Sequence, residues 1–187
     1  MPNLMTHLLL AKAVKPQGSP LFYLGSIAPD GVNNRADKDI SHFRNLTDRQ
    51  PALVSLAKET TGDFAEGVLL HLYCDWKWGT TILQKFIENT GEDWFPLYRN
   101  ELNHVASHAF HSTTWAREVW DGMDMIDTSS YGKVHLATAD DIKTHVARAK
   151  KWHEENVLLA SKIFTLGLIA DFVDETADSY LHWRKLQ

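Results

Sequence analysis

Length, composition and charge bound what this chain can be. Its 187 residues predict a single domain, 1–187, with a sizeable core, and a net charge of −5 argues against a nucleic-acid-binding surface. A single cysteine, Cys74, excludes an internal disulfide and favours a reducing compartment. The first residues contain neither a basic segment nor a long apolar run, so we expect no signal peptide, no membrane span and a cytoplasmic protein. The 10 histidines are numerous enough to make metal binding worth testing.

The chain begins with a short helical pattern. Residues 4–14 are predicted to form a helix, which ends where Pro16, Gly18 and Pro20 interrupt the pattern. His7 lies among apolar residues of this helix. A histidine on an apolar face is more often a core residue than a metal ligand, and both interpretations are open at this point.

An apolar segment and a polar loop follow. Residues 21–28 are apolar, and Pro29 disfavours helical geometry at the residue before it, so Asp30 is expected just after a helix end. A structural Asp-Gly turn is the alternative to a functional role for Asp30. Residues 32–41 are polar and are predicted to form an irregular loop. Because Asp30 and His42 flank this loop, a functional loop is favoured over a linker.

The longest helical pattern occupies residues 63–88, after a shorter predicted helix at 51–58. It contains His71 and Asp75, whose i, i+4 spacing places both side chains on one apolar face, about 5–6 Å apart at Cβ. An imidazole and a carboxylate in this arrangement can bind one divalent metal. The structural alternative is a buried His–Asp hydrogen bond that joins two helices.

A second group of histidines lies on the next predicted helix, residues 92–121. His104, His108 and His111 are spaced i, i+4 and i+7, on one face with Glu101. Two histidines at i, i+4 form a competent half-site for zinc. The alternative is a polar helix contact without a metal.

The remaining third of the chain contributes structure rather than chemistry. Residues 122–138 are predicted to be a loop, 139–164 a helix and 166–186 an amphipathic helix, and no segment has a convincing strand pattern. The chain is therefore predicted to be an all-α bundle of six to eight helices. Four further histidines have polar neighbours in sequence and are assigned to the surface: His135, His145, His153 and His182.

Four short segments occur in a characteristic order within roughly the first 80 residues. They are Thr6-His7, Gly25-Ser-Ile-Ala-Pro-Asp30, Ser41-His42-Phe43, and Gly67-(three residues)-His71-(three residues)-Asp75. In this order they resemble the zinc-dependent phospholipase C family, and most closely its cytosolic bacterial branch. The resemblance implies an all-α fold of the phospholipase C/P1 nuclease type, which holds one to three zinc ions between helices. Manganese and iron are alternative metals for such ligands.

The resemblance also implies a role for individual residues. Asp30 and Asp75 are the implied catalytic carboxylates, and Asp75 can bridge two ions. The family has a further histidine soon after the His-Asp motif, and this chain has none. The second zinc therefore differs in its ligands or is absent. The implied metal ligands are Asp30, His42, His71 and Asp75 for a first zinc, His7 for another, and His104 and His108 in place of the family's His-Glu pair.

These residues predict hydrolysis of phosphoric esters. A metal-bound hydroxide is the expected nucleophile, because the chain has no Ser-His-Asp arrangement and no P-loop. Arg44 or Arg35 could bind a phosphate, although a surface cation is the ordinary role for each. We expect a phospholipase C-type phosphodiesterase acting on a small-molecule or lipid phosphoester. Two alternatives are a single-metal bundle with other chemistry and a non-catalytic bundle with a structural metal. The absence of a His-Asp dipeptide disfavours an HD-type phosphohydrolase.

Overall fold

The computed structural model describes all 187 residues, of which 72% are helical, with no β-strand. The predicted all-α class is confirmed. The chain forms nine helices rather than six to eight, when the central helix is counted once through the π turn at Gly79–Leu83. Two helices have only six and seven residues, too few to show a hydrophobic period in the sequence.

The helices are named here in chain order. They are α1 (Leu4–Val14), α2 (Pro20–Gly25), α3 (Arg35–Ser41), α4 (Gln50–Glu59), α5 (Asp63–Trp78), α6 (Gln84–Thr90), α7 (Trp94–Ser112), α8 (Ala116–Asp124), α9 (Ala139–Glu155) and α10 (Leu166–Lys185). A short 3₁₀ turn, Ala28–Gly31, follows α2, and another, Thr128–Ser130, lies in the loop between α8 and α9.

The expected irregular loop at residues 32–41 is partly wrong, because α3 occupies most of it. The helix begins at a side-chain cap, in which Asn34 Oδ1 accepts a hydrogen bond of 2.8 Å from the Asp37 N–H. Such caps satisfy backbone donors that would otherwise lack partners at a helix start. The cap allows a short polar segment to be helical.

The predicted helix over residues 139–164 is also too long, since α9 ends at Glu155. Two side chains of α7 hold residues 156–165 in an open conformation. Glu101 accepts hydrogen bonds from the Ser161 hydroxyl at 2.6 Å and from the Lys162 and Ile163 N–H groups. Ser107 donates to a carbonyl of the same segment and accepts from the N–H of Leu158. These contacts take the place of intrahelical bonds. The predicted helix over 92–121 is likewise divided into α7 and α8.

A hydrophobic core of 38 buried residues extends from α1 to α10. Its largest fully buried side chains are Trp78 and Trp120, and the Trp78 indole N–H donates to the Tyr98 hydroxyl at 2.7 Å. Burial of this many apolar side chains is the main source of stability in a helical domain. None of the helices is long and apolar enough to cross a membrane.

The backbones of α2 and α5 come into close contact where the two helices cross. Gly25 and Gly67 face the partner helix so closely that a Cβ atom on either would overlap a backbone carbonyl, that of Phe64 or Phe22 respectively. Any side chain would push the two backbones apart. The same crossing brings the Ser26 carbonyl within 2.8 Å of the His71 ring.

Replacing Gly67 with Ala is expected to destabilise the protein by roughly 3 kcal/mol or more, because rigid backbone atoms cannot move aside. Urea unfolding followed by circular dichroism measures this. Gly79→Ala is the matched control, since no atom lies within 4 Å of the position of its Cβ. That variant should be within about 1 kcal/mol of the unmodified protein, on the more stable side. Equal effects of the two substitutions would contradict the crossing constraint.

The assignment of four histidines to the surface is correct for His135 and His182, which are exposed, and wrong for His153. His153 is only 3% exposed, and its ring stacks on Phe110 at a centroid distance of 5.1 Å. Its Nδ1 atom is enclosed and has no hydrogen-bond partner. Burial lowers the pKa of His153 to about 4, and nearby His111 contributes in the same direction. His145 is half-buried, with its Nε2 atom enclosed.

This burial predicts a pH dependence of stability. Below about pH 6.5 the unfolded chain takes up a proton on His153 that the folded protein does not bind, so stability decreases as the pH falls towards 4. Between pH 7 and pH 4.5 this term is about 2–3 kcal/mol. His153→Phe removes it, because phenylalanine fills the same space without titrating. Urea unfolding at both pH values should show a smaller loss of stability in the variant. Parallel losses in the two proteins would contradict the assignment.

Candidate metal centre

The structure brings together five of the predicted site residues. They come from four places in the fold: α1, the 3₁₀ turn after α2, the residue that follows α3, and the middle of α5. Potential ligand atoms within each of two overlapping groups lie within 4.8 Å of one another. The first group is His7, Asp30 and His71, and the second is His42, His71 and Asp75.

Asp75 occupies the centre of this cluster. Its Oδ1 atom lies 3.5 Å from His7 Nε2, and its Oδ2 atom lies 3.8 Å from His71 Nε2 and 3.9 Å from His42 Nε2. His42 Nε2 is also 3.7 Å from Asp30 Oδ1. One carboxylate therefore faces all three imidazoles, as expected of a residue that bridges neighbouring ions.

Backbone carbonyls determine which nitrogen carries the proton on two of the rings. His71 Nδ1 donates to the Ser26 carbonyl, and His42 Nδ1 donates to the Lys38 carbonyl, each at 2.8 Å. A carbonyl oxygen can only accept, so Nδ1 is protonated on both rings. Each neutral ring then has a lone pair on Nε2. In metal sites, a hydrogen bond from the other ring nitrogen to a carbonyl orients a histidine ligand in this way.

The two Nε2 atoms face each other at 3.3 Å. Burial lowers the pKa of His71 to about 3, with the nearby His7 as the next cause, and burial also lowers the pKa of His42. Both rings are therefore neutral near pH 7. Two lone pairs at this distance repel each other unless a cation lies between them. The donor set thus fits a metal ion.

The remaining polar atoms of the cluster also lack partners. Both ring nitrogens of His7 and both carboxylate oxygens of Asp75 are buried without a hydrogen bond. Burial lowers the pKa of His7, but Cys74 and Asp75 raise it to about 10, so an imidazolium faces Asp75 when no ion is bound. An unsatisfied buried carboxylate is costly, and a divalent ion satisfies it directly.

Two cations at the edge of the cluster were not expected to contact it so closely. Lys38 Nζ lies 2.6 Å from Asp30 Oδ1, and Arg44 Nη2 lies 3.7 Å from Asp75 Oδ2. Their side chains are 28% and 23% exposed, whereas Asp75 is 2% exposed. Although burial raises it, Lys38 and the histidines hold the pKa of Asp30 well below its usual range. Sequence reasoning missed Lys38, whose position one turn before His42 becomes a signal only once α3 is recognised.

The structure does not bring His104 and His108 to this cluster. They lie on α7, where His104 Nδ1 donates to the Leu159 carbonyl at 2.7 Å. His111 Nε2 contacts the Asn156 carbonyl at 3.2 Å. Neither His104 nor His108 belongs to a group of three potential ligands. In this arrangement the histidine face of α7 contacts the segment 156–165, and a second zinc there remains a prediction.

The chain matches no model of a known protein family, no characterised protein and no solved structure. The family resemblance therefore depends on the residues of the cluster themselves. Three imidazoles and two carboxylates form a nitrogen and oxygen donor set that suits zinc, with manganese and iron as alternatives.

Protein stripped with a chelator is expected to bind at least one zinc ion per chain at neutral pH. Because only the folded protein forms the cluster, free zinc at 100 times its dissociation constant should stabilise the fold by about 2.7 kcal/mol. For a domain of this size that corresponds to a rise in Tm of roughly 5–10 °C. Elemental analysis and thermal unfolding measure the two effects.

Two variants locate the ion. His42→Ala should lose the zinc of the cluster, while the double variant His104→Ala/His108→Ala should keep it and can lose only an ion bound on α7. A stripped protein that takes up no zinc, or a His42→Ala variant with full zinc content, would contradict the assignment of the cluster.

Proposed function

We propose that this protein is a metal-dependent hydrolase of phosphoric esters, a phosphodiesterase of the phospholipase C type with a related helical fold. The observation that supports it most is the convergence of two unprotonated imidazole Nε2 atoms on the Asp75 carboxylate, whose oxygens have no hydrogen bond. A polar cluster of this kind inside an apolar core is costly unless it serves a bound ion. The order of the motifs in the first 80 residues, which resembles that of zinc-dependent phospholipases C, is the reason for proposing phosphoester hydrolysis as the reaction.

The proposal gives each residue of the cluster a role. His42, His71, Asp30 and Asp75 would hold a first divalent ion, and His7 with Asp75 a second. Such ions polarise phosphoryl oxygens and lower the pKa of a bound water towards neutrality, which supplies the nucleophile. The carbonyls of Ser26 and Lys38 keep the rings in the ligand tautomer.

The alternative is a helical bundle in which the metal is structural. The burial of the ligands favours it, because His7, His42 and His71 are each at most 1% exposed. A catalytic ion must have an open coordination position, whereas a structural one is fully enclosed by protein ligands. Asp30, at 10% side-chain exposure, is the ligand through which substrate would approach.

Asp75→Asn separates these possibilities. The substitution keeps the size of the side chain but removes the charge that would hold two ions together. We expect loss of at least one ion per chain and a loss of phosphodiester hydrolysis on the order of 100-fold or more. The fold should persist, since the apolar faces of the helices remain buried. Metal content, hydrolysis of a chromogenic phosphodiester and Tm are measured on the same preparation.

Asp178→Asn is the matched control, because Asp178 is exposed and takes part in no ion pair. It should leave all three measurements unchanged. If Asp75→Asn keeps its metal content but has a lower Tm, corresponding to a loss of roughly 1–3 kcal/mol in the free energy of unfolding, Asp75 belongs to a metal-free hydrogen-bonded core instead. An unmodified protein that binds zinc but hydrolyses no phosphate ester would support the structural alternative.

A further inference from the structure

One candidate ligand of the cluster, Asp30, has a cationic partner that belongs to the protein. The Lys38 ammonium donates to Asp30 Oδ1 at 2.6 Å and lies 3.4 Å from the backbone carbonyl of the same residue. Asp30 is largely enclosed, whereas the Lys38 side chain is partly exposed, so the pair lies at the solvent side of the cluster. An enclosed carboxylate is costly without a cation, and Lys38 supplies one.

The ammonium shares its carboxylate oxygen with another candidate ligand. Asp30 Oδ1 also lies 3.7 Å from His42 Nε2, which has a lone pair because Nδ1 of that ring donates to a carbonyl. An ion held by His42 and Asp30 together would lie between these two atoms. Its charge would then face the ammonium across a single oxygen atom. Positive charges this close repel each other strongly inside a protein, so the ion and the ammonium compete for Asp30.

The backbone of Lys38 is fixed, whereas its side chain can move. The Lys38 carbonyl accepts hydrogen bonds from the His42 ring at 2.8 Å and from the Ser41 hydroxyl at 3.2 Å. The ammonium contacts only Asp30, and its flexible four-carbon stem can turn towards solvent. Departure of the ammonium would leave both bonds to the carbonyl intact. Lys38 can therefore release Asp30 without releasing His42.

We infer that Lys38 is an internal competitor of the metal ion: its ammonium neutralises Asp30 when no ion is bound and is released to solvent when an ion binds there. The inference rests on the metal centre of the proposed function, because it concerns the regulation of that site. It follows that the affinity of the cluster for zinc is lower than its ligands alone would give. Asp30 has a cationic partner in both states, so the cluster tolerates the loss of its ion.

Lys38→Met tests the competition, because methionine has a similar unbranched side chain without the charge. Zinc would be titrated into chelator-stripped protein in the presence of a chelator of known affinity, with circular dichroism to confirm that each variant is folded. Lys38→Met should bind zinc about tenfold more tightly or more, since the ion no longer displaces a cation. Lys38→Arg, which keeps the charge, should show no such gain. Lys58→Met is the matched control, because Lys58 is exposed on α4 and has no side-chain partner, and it should bind zinc as the unmodified protein does.

Release of the ammonium is measured on the unmodified protein, so this second measurement does not depend on the folding of a variant. Stripped and zinc-loaded protein would be treated with a water-soluble acetylating reagent, and the modified lysines identified by peptide mass spectrometry. Lys38 should be acetylated faster in the loaded protein, because its amine no longer pairs with Asp30. Lys58 should be acetylated at the same rate in both forms.

Several results would overturn the inference. They are a zinc affinity that is unchanged or weaker in Lys38→Met, an equal gain in Lys58→Met, and an acetylation rate of Lys38 that does not rise on loading. Zinc binding by Lys38→Met but not by the unmodified protein would support the competition. If neither protein binds zinc, both the inference and the metal centre are wrong.

Hydrolysis distinguishes failure of the inference from failure of the proposed function. Tighter zinc binding in Lys38→Met with faster acetylation of Lys38 on loading, but no hydrolysis of any phosphate ester, would support the competition and contradict the proposed function. Zinc-dependent hydrolysis by the unmodified protein, with the same zinc affinity in Lys38→Met, would support the proposed function and overturn the inference.

Discussion

The contact between the backbones of α2 and α5 is the constraint on which the cluster depends. Because Gly25 and Gly67 have no side chains, the two helices approach until their main chains touch. The Ser26 carbonyl then lies within hydrogen-bonding distance of His71, at 2.8 Å. That bond fixes the proton on Nδ1 and leaves Nε2 free. The glycines in the sequence motif and the ligands beside them are therefore parts of one geometric requirement.

The cluster itself is an electrostatic compromise inside an apolar core. Asp75 is charged, almost completely buried and without a hydrogen bond. Burying such a carboxylate lowers the free energy of unfolding, so its presence in the core indicates a role other than stability. Apart from His7 on α1, the cations of the cluster are Lys38 and Arg44, from the segment that includes α3 and the residues just after it. The candidate ligands His7, His71 and Asp75 therefore lie on the packed helices α1 and α5, whereas the cations lie on or just after the short helix α3.

Sequence reasoning located most of the cluster and misjudged its surroundings. The i, i+4 spacing of His71 and Asp75 is a local property of a long helix, so the sequence alone predicts their shared face. Helix α1 was also predicted at its observed bounds. In contrast, the start of α3 depends on the Asn34 cap. The end of α9 depends on hydrogen bonds to Glu101 of α7, and the burial of His153 depends on its packing against Phe110. These features arise from tertiary neighbours that no local period reveals.

The short length of α3 has a kinetic consequence for the proposed metal centre. This seven-residue helix ends immediately before His42. The Lys38 carbonyl accepts a hydrogen bond from the His42 ring, and the Lys38 ammonium pairs with Asp30. Short helices with few buried residues open more readily than the core around them, and only Ser41 of α3 is buried. Local opening of α3 would release one ligand and the competing ammonium together. Exchange of the ion with solvent would then proceed at the rate of this local opening, while α5 and the remaining helices stay folded.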